Sequence, residues 1–472
     1  MTSNNISSMG LAEEMMAIGF SSLSTADVRQ LEDLILDYCA VTLCGSVQPW
    51  GHKMTEWAYR HAGEGKATLF GSGAKAGAVA AALVNGTAGH GYELDDTHER
   101  SHSHPGAVVI TAALAVAEER ASDGREILAA IAAGYEAMAR IGMAGDPVGM
   151  GRKGFHMTCL FGAFGAATAA AKLMGLDAAG LARAWGLALS MIGGSSQFAY
   201  EPAGTMVKRM HAGLPAQNGV LAAQLSSLGM TAPVQALEGG YGFFNLYGTD
   251  VDASLLAKPA GAPLEIHEIS LKPYSCCRKF HSLIDALEQV TDGFTLPVER
   301  ITAIEAHTPT NAIDKHQMRR PESIMAAQYA MPYIVGATLA FGPRRYDAYG
   351  NEFHRHPHLL SIIDKVTAHA DDSLQDGVPG RMPARAVIRL DDGSVREATV
   401  KETLGSPERP LDRAGILAKA KALAEIVDPS LDLGALERAI GGLSRGDGAG
   451  GLTGLLSVAG YAEGAHRAIA AE

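Results

Sequence analysis

Asn85-Gly-Thr-Ala-Gly-His-Gly-Tyr-Glu-Leu-Asp-Asp-Thr-His-Glu-Arg-Ser-His-Ser-His-Pro105 is a short, turn-rich stretch between two Ala-rich segments. The flanking segments, Ala76 to Gly89 and about Ala107 to Arg120, have helical composition. The stretch itself gathers Glu93, Asp95, Asp96, His98, His102 and His104. Loops held by rigid elements carry chemistry, so this one is the first site candidate. Carboxylates and imidazoles at such spacing suit a divalent metal, as in a hydrolase using Asp95, Asp96, His98, His102 and His104. They equally suit acid/base groups that tune one another, or acids that cap the next helix beside solvated histidines.

Working outward, the helical theme continues. Ser24 or Thr25 caps a helix with Val28, Leu31, Leu34, Ile35, Tyr38 and Val41 on one face, ending near Gly45. Before it, the chain to about Phe20 reads as a polar, frayed segment. Arg125 to Gly142, Phe161 to Leu173 and Ala178 to Met191 repeat the Ala-rich pattern, and small residues let such helices approach closely. Around Glu265 the pattern changes. Val298 to His307 alternates as a strand, and Ala386 to Leu390, Asp-Asp-Gly-Ser, then Val395 to Val400 reads as a β-hairpin. Leu411 to Ile426 is helical again, and Gly441 to Gly454 reads as a loose Gly-rich tail. The fold class expected is mainly α with an inserted α+β domain: a helical domain over 1–264 and 405–472, and a smaller α+β domain over 265–404.

Composition narrows the function classes. The 472 residues exceed what one hydrophobic core organises, about 250–300 residues, so two or more domains are expected. A net charge of −12 argues against nucleic acid as partner. No uninterrupted apolar run approaches the roughly 20 residues of a membrane span, and the N-terminus has no secretory signal pattern, so a soluble, cytoplasmic protein is expected. Cys39, Cys44, Cys159, Cys276 and Cys277 are spaced neither as a disulfide framework nor as a metal site, and are expected to be reduced.

In an acidic chain, local basic clusters are informative. Lys208, Arg209 and His211 precede an apolar helix, and Lys272, Arg278, Lys279 and His281 precede another. Both suit an anion at a helix start, or else a solvated basic turn. His156, in Gly154-Phe-His-Met-Thr158, precedes a Gly/Ala-rich helix and is either a cap or a site residue. Cys276 and Cys277 read as buried packing thiols in preference to nucleophiles or ligands.

These segments, in this order, resemble the MmgE/PrpD family. The resemblance rests on Asn-Gly…His…Leu-Asp-Asp-Thr…His-Pro-Gly, Gly-Phe-His, Val-Lys-Arg-Met-His-Ala-Gly, Lys-Pro-Tyr-Ser-Cys-Cys-Arg…His and Gln-Tyr-Ala-Met-Pro-Tyr, and runs from about Leu31 to Lys401. Members include 2-methylcitrate dehydratase, cis-aconitate decarboxylase and iminodisuccinate epimerase. The resemblance implies a helical domain with an α+β lid, a homodimer, and a site in the cleft between domains. It also implies chemistry on a small polycarboxylate with no metal or organic cofactor. Carried over by position, the catalytic set falls on Thr97, His104, His156, Lys208, Lys272 and Tyr333. His104 is the acid or base, oriented by Asp95 or Asp96 with His156 as partner, and Tyr333 is a proton donor. On this reading Lys208, Lys272, Arg209, His211, Arg278, His281 and Glu93 are expected to surround the substrate. Dehydration of a 2-methylcitrate-like hydroxy acid ranks first, ahead of epimerisation or decarboxylation. At the first acidic position of the loop, where the decarboxylase branch carries aspartate, this chain carries Glu93, and His98 and His102 lie outside the pattern.

Overall fold

A computed structural model describes residues 7–461 apart from 202–203, 260, 314–315 and 376–380. The chain divides into two compact units. The first comprises 1–196, 207–269 and 416–472, and the second 197–206 and 270–415. The second unit thus runs some way past the 265–404 segment singled out in the sequence. It also takes in a ten-residue excursion, Gln197–Met206, where a Cβ on Gly204 would sit 2.3 Å from the Ser323 hydroxyl.

The first unit is built from helices. Ser24 closes a capping box with Asp27 and starts the helix Thr25–Ser46. Ala78–Gly89, Gly106–Arg120, Gly124–Ala144, Met157–Leu173, Ala178–Leu189 and Met210–Ser227 follow. Their Ala and Gly faces leave few side-chain atoms between backbones, so the helices pack closely. Gly124–Ala144 is long and apolar enough to cross a membrane, yet its apolar stretch is entirely buried inside this unit. It carries Glu136 and Arg140, both buried and close to one another at 3.6 Å, and serves as a core helix.

Two expectations for the chain ends are corrected. The opening segment holds a helix, Ser8–Ala17, capped by Ser7, with Leu11, Ala12 and Met15 buried. The Ser8 hydroxyl accepts from Leu237 N at 3.0 Å and donates to Glu238, which anchors the helix. The Gly-rich tail is likewise ordered, forming the helices Leu433–Leu443 and Ala449–Thr453. Glycine here serves close packing, since a Cβ on Gly124 would lie 2.4 Å from Asp447 O and 2.5 Å from Leu443 O. Upstream, the helix Arg413–Val427 contributes Lys419, a buried cation in the first unit. Its Nζ donates to Leu94 O at 2.7 Å and pairs with Asp37 Oδ1 at 2.7 Å.

The second unit has a four-stranded sheet. We label its strands β1 (Ile301–Thr308), β2 (Val366–Ala370), β3 (Ala384–Leu390) and β4 (Val395–Val400), in spatial order β2-β1-β3-β4. β1 runs parallel to β2 and antiparallel to β3, and β3 and β4 form the expected hairpin. Gly393 in its turn has φ +82°, a conformation glycine adopts without a Cβ clash. Ile304, Ala306 and Ile388 face a core shared with Leu283 and Leu287 of the helix His281–Val290 and with Ile334 of Met331–Phe341.

Candidate functional site

Four helix ends in the first unit deliver four imidazoles. His90 follows Ala78–Gly89 as its C-terminal cap, His104 lies just before Gly106–Arg120, His156 is the N-cap position of Met157–Leu173, and His211 is in the first turn of Met210–Ser227. Helices Ala78–Gly89 and Met210–Ser227 touch backbone to backbone. A Cβ on Gly213 would lie 2.3 Å from Leu83 O, and one on Gly86 would lie 2.7 Å from Gly213 Cα. That approach helps bring the rings together. Centroids are 4.9 Å apart for His90 and His104, 5.6 Å for His90 and His156, 6.2 Å for His104 and His156, and 5.0 Å for His156 and His211.

Asp95 is the hub. Its Oδ2 lies 2.6 Å from His90 Nδ1 and 3.3 Å from His104 Nδ1. His104 Nδ1 also donates to the Asp96 backbone carbonyl at 2.8 Å. A carbonyl only accepts, so Nδ1 holds the proton and Nε2 carries the lone pair of the neutral ring. The Thr97 hydroxyl is 3.4 Å from the same nitrogen, and Thr158 Oγ1 accepts from His104 N at 3.1 Å. Asp95 and Asp96 both meet His104, in different ways. Asp96 orients His104 through its backbone, while its carboxylate accepts from Gly106 N at 2.8 Å and Tyr135 OH at 2.7 Å, tying down the start of the next helix. Burial pushes the Asp96 carboxyl up to about 7 against those two bonds.

The basic segment beside the imidazoles is not a solvated turn. Lys208 and Arg209 are buried, and both donate to Glu93 Oε1, Arg209 at 2.7 Å. The Arg209 guanidinium lies over the Trp50 ring, 5.0 Å from its centroid. Glu93 is held at φ +56°, an uncommon conformation for a residue with a Cβ. Burial first, and then the neighbouring His90 ring and the Lys208 ammonium, which disfavour a further positive charge, bring His211 down to about 3 and His156 well below its ordinary range. Burial likewise takes His90 to about 3, overriding the Asp95 carboxylate beside it. These three rings are therefore neutral at neutral pH, next to a compensated cation pair.

The five ligands of a loop-based metal hydrolase do not assemble. Only Asp95 and His104 of that set converge, joined by His90. Ligand atoms of His90, Asp95 and His104 are close enough to share a divalent ion. At 2.6 Å, though, the His90–Asp95 pair is a hydrogen bond, tighter than the roughly 3.3 Å between neighbouring ligands of a tetrahedral ion with bonds of about 2.0–2.1 Å. His98 turns elsewhere, with Nδ1 2.8 Å from Ser101 Oγ and Nε2 3.2 Å from Glu265 Oε2. Burial would raise Glu265, but hydrogen bonds from His98 and Lys258 bring it down to about 2. His102 takes φ +52° and closes the turn.

The remaining residues singled out in the sequence belong to the second unit. Lys272 is buried there. Arg278 donates to Ser270 Oγ at 3.0 Å and lies 3.4 Å from His281 Nδ1, while His281 Nε2 donates to Cys276 O at 3.2 Å. Tyr333 is in the core of this unit. Its hydroxyl donates to Ala348 O at 2.9 Å, its ring meets His354 edge-on at 5.6 Å, and burial holds the phenol well above its usual range. Its proton is committed to a backbone carbonyl in this arrangement, so a donor role requires that bond to be exchanged. All five cysteines are buried thiols, and burial pushes Cys159 up to about 12.

His90 is the site residue that sequence reasoning left without a role. Its signal was available, since it stands inside the same block, five residues before the Asp95 that it pairs with.

The fold and the site together define a helical unit carrying a His/Asp cluster beside a buried Lys–Glu–Arg group, together with a smaller α+β unit. The chain belongs to the MmgE/PrpD family: its N-terminal domain matches residues 10–256 and its C-terminal domain residues 274–433. Similar proteins include a cis-aconitate decarboxylase of Aspergillus terreus (strain NIH 2624 / FGSC A1156), 28% identical over 433 residues covering 86% of this chain and 87% of that one. The mouse cis-aconitate decarboxylase is 24% identical over 418 residues, 85% of this chain and 83% of its own. The human one is 25% identical over 356 residues, 72% and 71% respectively.

Proposed function

We propose that this protein is a lyase acting on a small di- or tricarboxylate, through proton transfer at the carbon next to a carboxylate and without metal or organic cofactor. The observation that carries the reading is His104: with Nδ1–H held by Asp96 O and facing Asp95, its Nε2 is the proton-transfer atom. An enolate formed next to a carboxylate bears two negative charges, and buried Lys208 and Arg209 stabilise it more than they stabilise the ground state. Decarboxylation is the first outcome proposed, because proteins related across both domains are cis-aconitate decarboxylases. In that outcome the C–CO₂ bond breaks, its electron pair enters the enolate, and His104 Nε2, having taken up a proton from solvent, delivers it to the carbon. Dehydration of a 2-methylcitrate-like acid is the second reading, favoured by the Nε2 lone pair of His104 as the base that takes the proton next to the carboxylate. We also propose a cytoplasmic homodimer. The first unit exposes Leu228, Met230, Val234, Tyr241 and Leu246 within one stretch, and light scattering of the purified protein tests the assembly.

The test is proton NMR of the enzyme in D₂O with cis-aconitate, citrate-like and 2-methylcitrate-like acids. The expected result is CO₂ loss or dehydration, with solvent deuterium entering one carbon. His104→Ala abolishes deuterium entry while ligand-induced thermal stabilisation persists. EDTA leaves the rate unchanged. Exchange that requires added zinc, manganese or magnesium, or a His104→Ala enzyme that exchanges normally, overturns the reading.

A further inference from the structure

Across the sheet of the second unit, β1 and β2 pair in parallel with His307 opposite His369 and Glu305 opposite Thr367. Side chains alternate along a strand, so Glu305 and His307 share one face of β1, and His369 lies on that same face of β2. Ile304 and Ala306, which alternate with them, face the core. The two imidazoles stack with centroids 4.7 Å apart and planes 20° from parallel. Glu305, His307 and His369 each offer a ligand atom, and these atoms all lie within 4.8 Å of one another.

We propose that Glu305, His307 and His369 form a binding site for one divalent transition-metal ion, of the zinc class, that clips the edge strand β2 to β1. His307 Nε2 is buried and has no hydrogen-bond partner among the described residues. Glu305 Oε2 stands 3.6 Å from it, beyond hydrogen-bond range. That spacing is close to the ligand-to-ligand separation around a tetrahedral zinc, about 3.3–3.6 Å when the bonds are about 2.0–2.2 Å. The carboxylate is already oriented, because Arg389 donates to its other oxygen, Oε1, at 3.0 and 3.2 Å.

The outer surroundings fit as well. Asp371 Oδ2 lies 3.8 Å from His307 Nδ1 and is held by Arg385, whose guanidinium is 3.3 Å from that same nitrogen. A guanidinium only donates, so Nδ1 accepts from Arg385 and Nε2 holds the ring proton as the structure stands. Metal binding at Nε2 displaces that proton, after which Nδ1 carries one, Arg385 turns aside and Asp371 becomes the acceptor, the usual arrangement behind a metal-bound imidazole. Glu397 pairs with Arg385 at 3.3 Å. The neighbouring carboxylates of Glu305, Asp371 and Glu397 thus outnumber the two guanidiniums. Three protein ligands and one open position for water make a complete tetrahedral set.

The experiment uses the full-length protein, stripped with a chelator and titrated with Zn²⁺ alone by calorimetry, with Co²⁺ as a spectroscopic stand-in. The wild type is expected to take up one equivalent at this site, with the intense ligand-field absorption of tetrahedral Co²⁺ and a raised Tm. His369→Ala and Glu305→Gln should each weaken that binding at least 100-fold and remove the Tm increment. His104→Ala should keep both, which separates this site from the His90–Asp95–His104 group. The metal-free melting curve of Glu305→Gln, nearly isosteric with the native side chain, checks that the fold persists. Absence of binding by the wild type, binding unchanged in His369→Ala and Glu305→Gln, or loss of binding in His104→Ala instead, each overturns the proposal.

Discussion

Glu93 places an internal carboxylate on the two cations best able to receive an external one. Removing one partner of a buried ion pair leaves the other uncompensated, at a cost of about 3–5 kcal/mol. Glu93→Gln should therefore lower Tm, with Lys208 and Arg209 left buried beside a neutral amide. A bound polycarboxylate restores the missing charge, so the Tm increment from a saturating tricarboxylate should be larger in Glu93→Gln than in wild type. Differential scanning fluorimetry reads both numbers, and an equal or smaller increment would mean that substrate carboxylates do not approach this pair. Lys208→Ala is expected to lower kcat/KM by at least about 100-fold, or roughly 2.7 kcal/mol of transition-state binding. Steady-state kinetics on the NMR-identified substrate measure it, and wild-type kinetics would sink the carboxylate role.

At the scale of elements, the site depends on helices that meet without side chains between them. Gly213→Ala puts a methyl group 2.3 Å from Leu83 O and 2.4 Å from the Thr87 hydroxyl, so Ala78–Gly89 and Met210–Ser227 must separate. Overpacking of this kind costs about 1–3 kcal/mol, and urea unfolding should show that loss together with reduced turnover, because His90 and His211 sit at the ends of the displaced helices. Full stability in Gly213→Ala would mean that the contact relaxes freely. The same Ala/Gly patterning made most of these helices legible in the sequence, because composition and capping are local signals, as at Ser24 and Asp27. The ends of the chain were misread for the complementary reason. Ser8–Ala17 and the glycine-rich tail are fixed by distant partners, Leu237 and Glu238 for one and Gly124 for the other, which no local window contains. Within the site, Asp95, His104, His156, Lys208 and Arg209 were recognisable as residue types in company. The division of labour between Asp95 and Asp96 depends on which way a carboxylate turns, and spacing does not encode that.

For the molecule as a whole, the buried imidazoles set an acid limit. Unfolded histidines titrate near 6.5, whereas His90 and His211 are held down to about 3 and His156 well below its ordinary value. Between about pH 6.5 and 3 the unfolded chain takes up protons that these sites refuse, so stability falls as pH falls through that window. Asp96, raised to about 7, and Asp37, also raised by burial, act in the opposite sense. Their native forms keep a proton that the unfolded carboxylates release above about 4, a contribution present at low pH and lost as pH rises through the folded value. Three imidazoles outweigh two carboxylates, so Tm should drop between pH 6.5 and 5. His211→Gln should flatten that slope, and thermal melts across the range check both. A Tm that rises on acidification would contradict the neutral, buried state of the cluster.

Lys419 adds a consequence for how the enzyme is made. The carbonyl of Leu94, inside the loop that carries Glu93, Asp95 and Asp96, is capped by a lysine 325 residues further along the chain, and the same lysine neutralises Asp37. A ribosome extends the chain at about 5–20 residues per second, so the loop waits tens of seconds for the group that fixes its backbone. During that interval Asp37 has no Lys419 to pair with. A chain stopped at Gly415 would contain His90, Asp95, His104, His156 and His211 yet lack Lys419 together with the C-terminal helices of the first unit, and is expected to be inactive.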